Sequence, residues 1–194
     1  MAGPRGKSSV FETGKKHRIA PDELYQVARW YACRTRARAE KQVDRLLAGA
    51  GIECYLPLIE QERQWADRKK RVAFPLFPGY TFARFDLSGI HDILKTPGVV
   101  TVIRNDGYPA PLRDDELESV RLLTKAANET GVVPSPVEDY EPGDDVIVIS
   151  GPFEGMVGVL LGARGGGRVA VKLSAIGQAM AVELDPAVLR PLRG

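Results

Sequence analysis

The rhythm of apolar and polar positions changes twice along the chain. Residues 1–27 are mostly polar and hold no sustained period, which predicts a mobile tail. From residue 28 to about residue 126, strand-like and helix-like patterns alternate. Arg29-Trp-Tyr-Ala-Cys-Arg-Thr-Arg36 reads as a strand that ends in exposed bases. A helix follows over about 37–50, with Val43, Leu46, Leu47 and Ala50 at i, i+3, i+4 and i+7 as its buried stripe, and Gly51 as its cap. Arg38, Lys41 and Arg45 cluster on another face. Residues 52–58 read as a second strand, and the polar run 60–71 as a long hairpin or loop. That run feeds 72–84, the most hydrophobic segment. Ser88 is positioned to cap a short helix through Ile90, Ile93 and Leu94, stopped at Pro97. Residues 99–103 read as another strand. Asp114, Asp115 and Glu116 open a last helix, with carboxylates at its positive end and Leu117, Val120 and Leu123 pointing inward.

Beyond residue 140 the pattern becomes short strands, at 146–149, 157–161, 169–173 and 181–184, punctuated by Gly and Pro about every ten residues. That spacing predicts a small β-barrel. The segment between carries six acids, no base and three prolines over 127–145. It reads as an extended spacer that holds two domains apart. The predicted organisation is a tail over 1–27, an α+β domain over 28–126, a linker over 127–140 and a β-barrel over 141–194. The barrel's nine glycines between 143 and 177 and its Val/Ile-rich runs disfavour any helical alternative. The barrel is therefore expected to be β in the full-length chain and to tumble separately.

Composition narrows the function. Of 194 residues 44% are hydrophobic and 27% charged, enough for a packed core. Net charge is only +2, so the chain as a whole is no polycation; residues 28–126 carry +4 and 127–145 carry −6. No run approaches the roughly 18 apolar residues of a membrane span, and no secretory pattern opens the chain. Two cysteines, Cys33 and Cys54, make no disulfide scaffold, and a soluble cytoplasmic protein is expected. Candidate chemistry is sparse. The only histidines are His17 and His91, without metal-ligand spacing. Gly3–Ser8 echoes a phosphate loop but follows no strand. Residues 162–168 suit a hairpin turn better than a phosphate cradle. Cys33 suits a core position better than a nucleophile. Neither a catalytic group nor a cofactor is indicated, and the expectation is a non-enzymatic binding protein.

Two separate motifs then carry a resemblance. Trp30-Tyr31, Phe74-Pro-Leu-Phe-Pro-Gly-Tyr-Thr-Phe82 and Pro97-Gly-Val99 resemble the N-terminal (NGN) domain of the NusG family of transcription elongation factors. Gly143-Asp-Asp-Val-Ile-Val148, Gly151-Pro-Phe-Glu-Gly-Met-Val-Gly158 and Val182-Glu-Leu184 resemble its C-terminal KOW domain. The resemblance covers about 28–192. Residues 64–71 running into Pro75–Tyr80 are most similar to the UpxY-type paralogues, antiterminators of long polysaccharide operons. The resemblance implies an N-terminal antiparallel sheet with packed helices, plus a five-stranded SH3-like barrel.

It also implies partners. In the family the N-terminal domain binds the clamp helices of the RNA polymerase β′ subunit and bridges towards the β gate loop, opposing pausing. Docking on helices needs apolar, concave surface. Phe77, Tyr80 and Phe82 can supply it, with Val102 as a neighbour; the alternative is that these are core. Ser88 and His91 could meet the gate loop, or serve only as a cap and a surface histidine. Two basic groups would face upstream and non-template DNA: Arg34, Arg36, Arg38 and Lys41 at the strand–helix junction, and Arg63, Arg68, Lys69, Lys70 and Arg71 around Trp65 in the projecting segment. Glu60, Glu62 and Asp67 dilute the second group, which could instead be a solvated face.

The barrel offers Phe153, Ile176, Gln178 and Met180 as a partner surface. Housekeeping members bind a small-subunit ribosomal protein or the Rho factor there, usually through a Phe and an Arg. Ile176 and Gln178 depart from that pattern, which disfavours Rho and leaves ribosomal contact open. The reading is a monomeric, operon-specific antitermination factor. The alternatives are a general housekeeping elongation factor and, from another class, a ribosome-associated RNA-binding KOW module.

Overall fold

In the computed structural model, residues 20–64, 69–137, 143–161 and 167–192 are described. Trp65, Arg68, the side chain of Arg63, the tail motif Gly3–Ser8, His17 and residues 162–166 of the glycine-rich turn 162–168 lie outside them. Among the described residues no helix is long and apolar enough to cross a membrane.

The N-terminal part runs α1 (Glu23–Gln26), β1 (Arg29–Thr35), α2 (Glu40–Gly49), β2 (Glu53–Tyr55), β3 (Leu58–Gln64), β4 (Lys69–Pro75), β5 (Tyr80–Phe85), α3 (Ile90–Lys95), β6 (Val99–Val102), β7 (Arg104–Asn105), β8 (Tyr108–Pro109) and α4 (Asp114–Thr130). Strands β2, β5, β1 and β6 lie side by side in that order, all antiparallel. Alternation along β1 sends Trp30 and Ala32 to one face, Tyr31 and Cys33 to the other. The second face packs on the short helices and α2 through Val43, Leu47, Leu87, Ile90 and Ile93. The first packs on α4 through Leu117, Val120 and Leu123, as the sequence pattern predicts.

Several expectations shift. Leu46, assigned to the buried stripe of α2, is 41% exposed; Val43 and Leu47 carry the packing. The segment 52–58 splits at Pro57, and its end opens the β3–β4 ribbon, which is a hairpin. Asp86, not Ser88, caps the turn into α3: its carboxyl accepts from the Ser88 and Gly89 N–H groups and from the Ser88 hydroxyl. The Ser88 hydroxyl is the chief reason that the Asp86 pKa falls below the ordinary value.

The C-terminal part is β: β9 (Ser135–Pro136), β10 (Asp145–Val148), β11 (Val157–Leu160), β12 (Arg168–Leu173), β13 (Gln178–Glu183) and β14 (Leu189–Pro191), in the order β14-β10-β11-β12-β13-β9. Two features overturn the spacer reading. Helix α4 runs on to Thr130, and Ser135–Pro136 of the acidic segment pair with Ala181 and Met180 of β13. The barrel also packs against α4. The Ser119 hydroxyl accepts from the Val157 N–H at 3.2 Å, and a Glu116 carboxyl oxygen from the Ser174 N–H at 3.3 Å. Leu122 lies against Gly155. One apolar cluster runs from Trp30 and Phe82 through α4 to Phe153, Met156 and Val171. The barrel is β as expected, but docked rather than separate.

Candidate functional site

The end of β1 and the first turn of α2 organise the region where aromatic and basic side chains meet. Phe77-Pro-Gly-Tyr80 turns into β5, and Gly79 sits at φ +84, a conformation that disfavours any other residue. This glycine is held on both sides. Its N–H donates to a Glu40 carboxyl oxygen at 2.7 Å, and its C=O accepts from the Thr35 N–H at 2.8 Å. Beside it, the Arg36 N–H donates to Gly98 C=O at 2.8 Å. Gly98 is at φ +99, and an added Cβ would lie 2.8 Å from Val43 Cγ2. Helix α2 thus packs onto both the aromatic turn and the loop that leads into β6.

The aromatics separate by depth. Phe77 and Phe82 are fully buried, edge to face with centroids 6.1 Å apart. Tyr80 is half-buried on the same face, next to exposed Arg34 in the β1–β5 register. Val102 is not their neighbour. It stands opposite Cys33 on β1, and so belongs to the other face with Tyr31, Val43 and Ile93. Cys33 is fully buried, and burial pushes its thiol up to about 12, so it is not a thiolate at neutral pH.

Arg34, Arg36 and Arg38 are all exposed around this turn. Arg38 is one of two non-glycine residues at positive φ among the described ones, at +62. Lys41 is differently employed: its ammonium donates to Ala73 C=O on β4 at 2.7 Å. On the ribbon the bases divide. Lys69 and Arg71 share one face with Glu60 and Glu62, at 3.9 to 4.0 Å. Lys70 stands on the opposite face, paired in register with Arg63. The acids cancel the field of the first face, and the second holds the net positive charge. Ser88 is engaged by Asp86, while His91 is exposed on α3.

On the barrel, Phe153 and Met180 are buried, whereas Ile176 and Gln178 are only half-buried. The 174–178 loop lies at the α4 contact. Four residues near these surfaces carry no signal in the sequence beyond an ordinary helix pattern. Glu116 reads only as a carboxylate at a helix start, and Glu40 and Ser119 as solvent-side polar positions. Arg121 reads likewise, yet its guanidinium lies 5.1 Å from the Trp30 ring centroid and 5.4 Å from that of Tyr55.

Together these features place a clamped aromatic turn and exposed arginines side by side on a helix-covered sheet that carries a small barrel. The chain belongs to the NusG family. A family model described as "Transcription termination factor nusG" matches residues 28–121. The chain is similar to the transcription termination/antitermination protein NusG of Pseudomonas aeruginosa, 30% identical over 170 residues, covering 81% of this chain and 94% of that protein. It is likewise similar to the protein of that name from Deinococcus radiodurans, 31% identical over 186 residues, covering 80% and 95%. A solved structure described as "Domain interaction in Thermotoga maritima NusG" aligns with 87% of this chain and 99% of that one, at 23% identity and a TM-score of 0.46.

Proposed function

We propose that this chain is a transcription elongation and antitermination factor that docks on RNA polymerase through the turn around Tyr80. In this reading the turn meets the β′ clamp helices, and the Ser88–His91 end faces the β gate loop. The junction arginines and the ribbon lie along upstream and non-template DNA. The observation that carries it is the depth order of the aromatics: Phe77 and Phe82 build the turn from beneath, which leaves half-buried Tyr80 beside Arg34 as the aromatic available to a partner. Co-purification with core polymerase tests it: wild type should be retained and Tyr80→Ala lost. Retention of a folded Tyr80→Ala variant would end the docking role. A role confined to polysaccharide-type operons is the finer proposal, supported by residues 64–80 and by Ile176 and Gln178. Genome-wide occupancy concentrated on one operon supports it, and occupancy of most transcription units favours a general factor.

The two basic groups have separable expectations. Lys70→Ser should lower the salt slope of single-strand binding by about 0.7, one phosphate contact. Arg71→Ser should change it less, because Glu60 and Glu62 already offset that charge. Equal slopes in the two variants would mean that the ribbon's two faces are not distinct. Arg38→Gly should raise stability by about 0.5–1 kcal/mol, since relief of about 1–2 kcal/mol of left-handed strain exceeds about 0.4–1 kcal/mol of added chain entropy. The same variant should lose affinity for duplex DNA. A melt and a DNA titration on one sample check both; a variant no more stable, or one that binds as before, removes the case for a charge kept at the cost of strain.

A further inference from the structure

We infer that Glu40 and Lys41 are a positioning pair: the first turn of α2 fixes the aromatic turn with one side chain and the base of the ribbon with the next. The inference rests on the docking role of the Tyr80 turn. An acid at a helix N-terminus is well placed pointing into water, where it meets the positive end of the helix dipole. Glu40 instead is 6% exposed, and its carboxyl reaches the Gly79 N–H at 2.7 Å. Burying a carboxyl is unfavourable unless its oxygens are used. Here one oxygen fixes the backbone of a glycine that has both signs of φ open to it, one residue before Tyr80. Lys41, the next residue along, turns its ammonium the other way, onto Ala73 C=O of β4 at 2.7 Å. That bond uses one of the ammonium's three donors and ties Lys41 to the ribbon, so that Lys41 acts on DNA by anchoring the strand that carries Lys70. Two adjacent residues on one rigid helix thereby set the angle between the turn and the ribbon, surfaces that adjoin in sequence where β4 ends at Pro75 and the turn begins at Phe77. A protein that meets a helical partner and a nucleic acid at once needs that angle held.

The test uses the full chain and two readouts. Hydrogen exchange of the Gly79 amide reads the clamp alone. Glu40→Ala should accelerate it at least tenfold, and Glu40→Gln, which keeps a carbonyl acceptor, should stay near wild type. Retention on core polymerase reads the consequence: about tenfold weaker for Glu40→Ala, restored in Glu40→Gln, with an unchanged salt slope. Lys41→Ala should spare nucleic-acid-free polymerase binding and lower the salt slope on bubble DNA, and Lys41→Gln, which keeps an N–H donor for Ala73 C=O without the charge, should restore it; a slope equally low in both variants overturns the anchoring role in favour of direct phosphate contact. If Glu40→Ala does not fold, Glu40→Asp, which shortens the reach, replaces it. Unchanged Gly79 exchange overturns the clamp. Faster exchange with unchanged polymerase retention overturns the positioning role, and Tyr80→Ala run beside it shows whether the docking reading itself has failed.

Discussion

Phe82→Ala should unfold or severely weaken the N-terminal domain, whereas Tyr80→Ala should leave its melt nearly unchanged and abolish polymerase binding. The two side chains sit on one face of β5, yet their surroundings differ. Phe82 is fully buried between Ala32, Tyr55 and the edge of Phe77, and its truncation removes contacts and leaves a cavity, at about 3–5 kcal/mol. That is comparable with the whole stability of many domains of this size. Tyr80 is half-buried at the turn and donates its backbone N–H to Phe77 C=O, a bond that survives truncation of the ring. A central aromatic at an interface is worth about 2 kcal/mol or more, at least thirtyfold in Kd. Thermal melts beside polymerase retention separate the two effects. A stable Phe82→Ala variant would mean that the buried position is not as packed as its surroundings require. A double substitution of the two would confound them.

The second large effect concerns the barrel. In Glu116→Ala/Ser119→Ala the Val157 and Ser174 N–H groups lose their acceptors. If the interface stayed closed, each orphaned donor would cost about 1–3 kcal/mol. Opening lets water satisfy both, and the barrel should come away from α4. Nitrogen-15 relaxation should give one rotational correlation time for residues 29–130 and 145–191 in wild type, and a shorter one for the barrel in the variant. Barrel residues that already tumble faster in wild type would restore the spacer reading of the acidic segment and remove the docked arrangement.

Much of this architecture was legible from periodicity, and the exceptions have common causes. Helix α4 and the barrel strands carry apolar patterns that only one secondary structure can bury. The outer part of the ribbon does not: Glu60, Glu62, Lys69 and Arg71 fill one face, and the other is apolar only at its base, through Ile59, Val72 and Phe74, before Arg63 and Lys70 pair in register, so alternation has no apolar side to register there. Strand β9 is two residues long and contains Pro136, which is tolerated because it lies at the sheet edge. The face of Val102 depends on the pairing of β6 with β1, which includes a register shift between Arg34 and Thr35. Such a register is decided between segments far apart in sequence. The candidate site divides likewise. Its residue types and order were readable, and depth was not. Nothing in the sequence separates Tyr80 from Phe82, Lys41 from Arg38, or Lys70 from Arg71; the partner that each side chain finds separates them.

The short path from α4 to the barrel bears on competition. Only residues 131–134 separate the end of α4 from β9, at most about 14 Å when extended. Because β9 is zipped onto β13, the 174–178 loop faces α4 as a tethered ligand, at an effective concentration on the order of millimolar. A free partner for that loop at micromolar concentration competes against roughly a thousandfold excess, about 4 kcal/mol. A partner carried on the same transcribing assembly meets the loop at comparable local concentration and does not face that excess. For any partner of this loop, access would therefore depend on co-localisation more than on abundance.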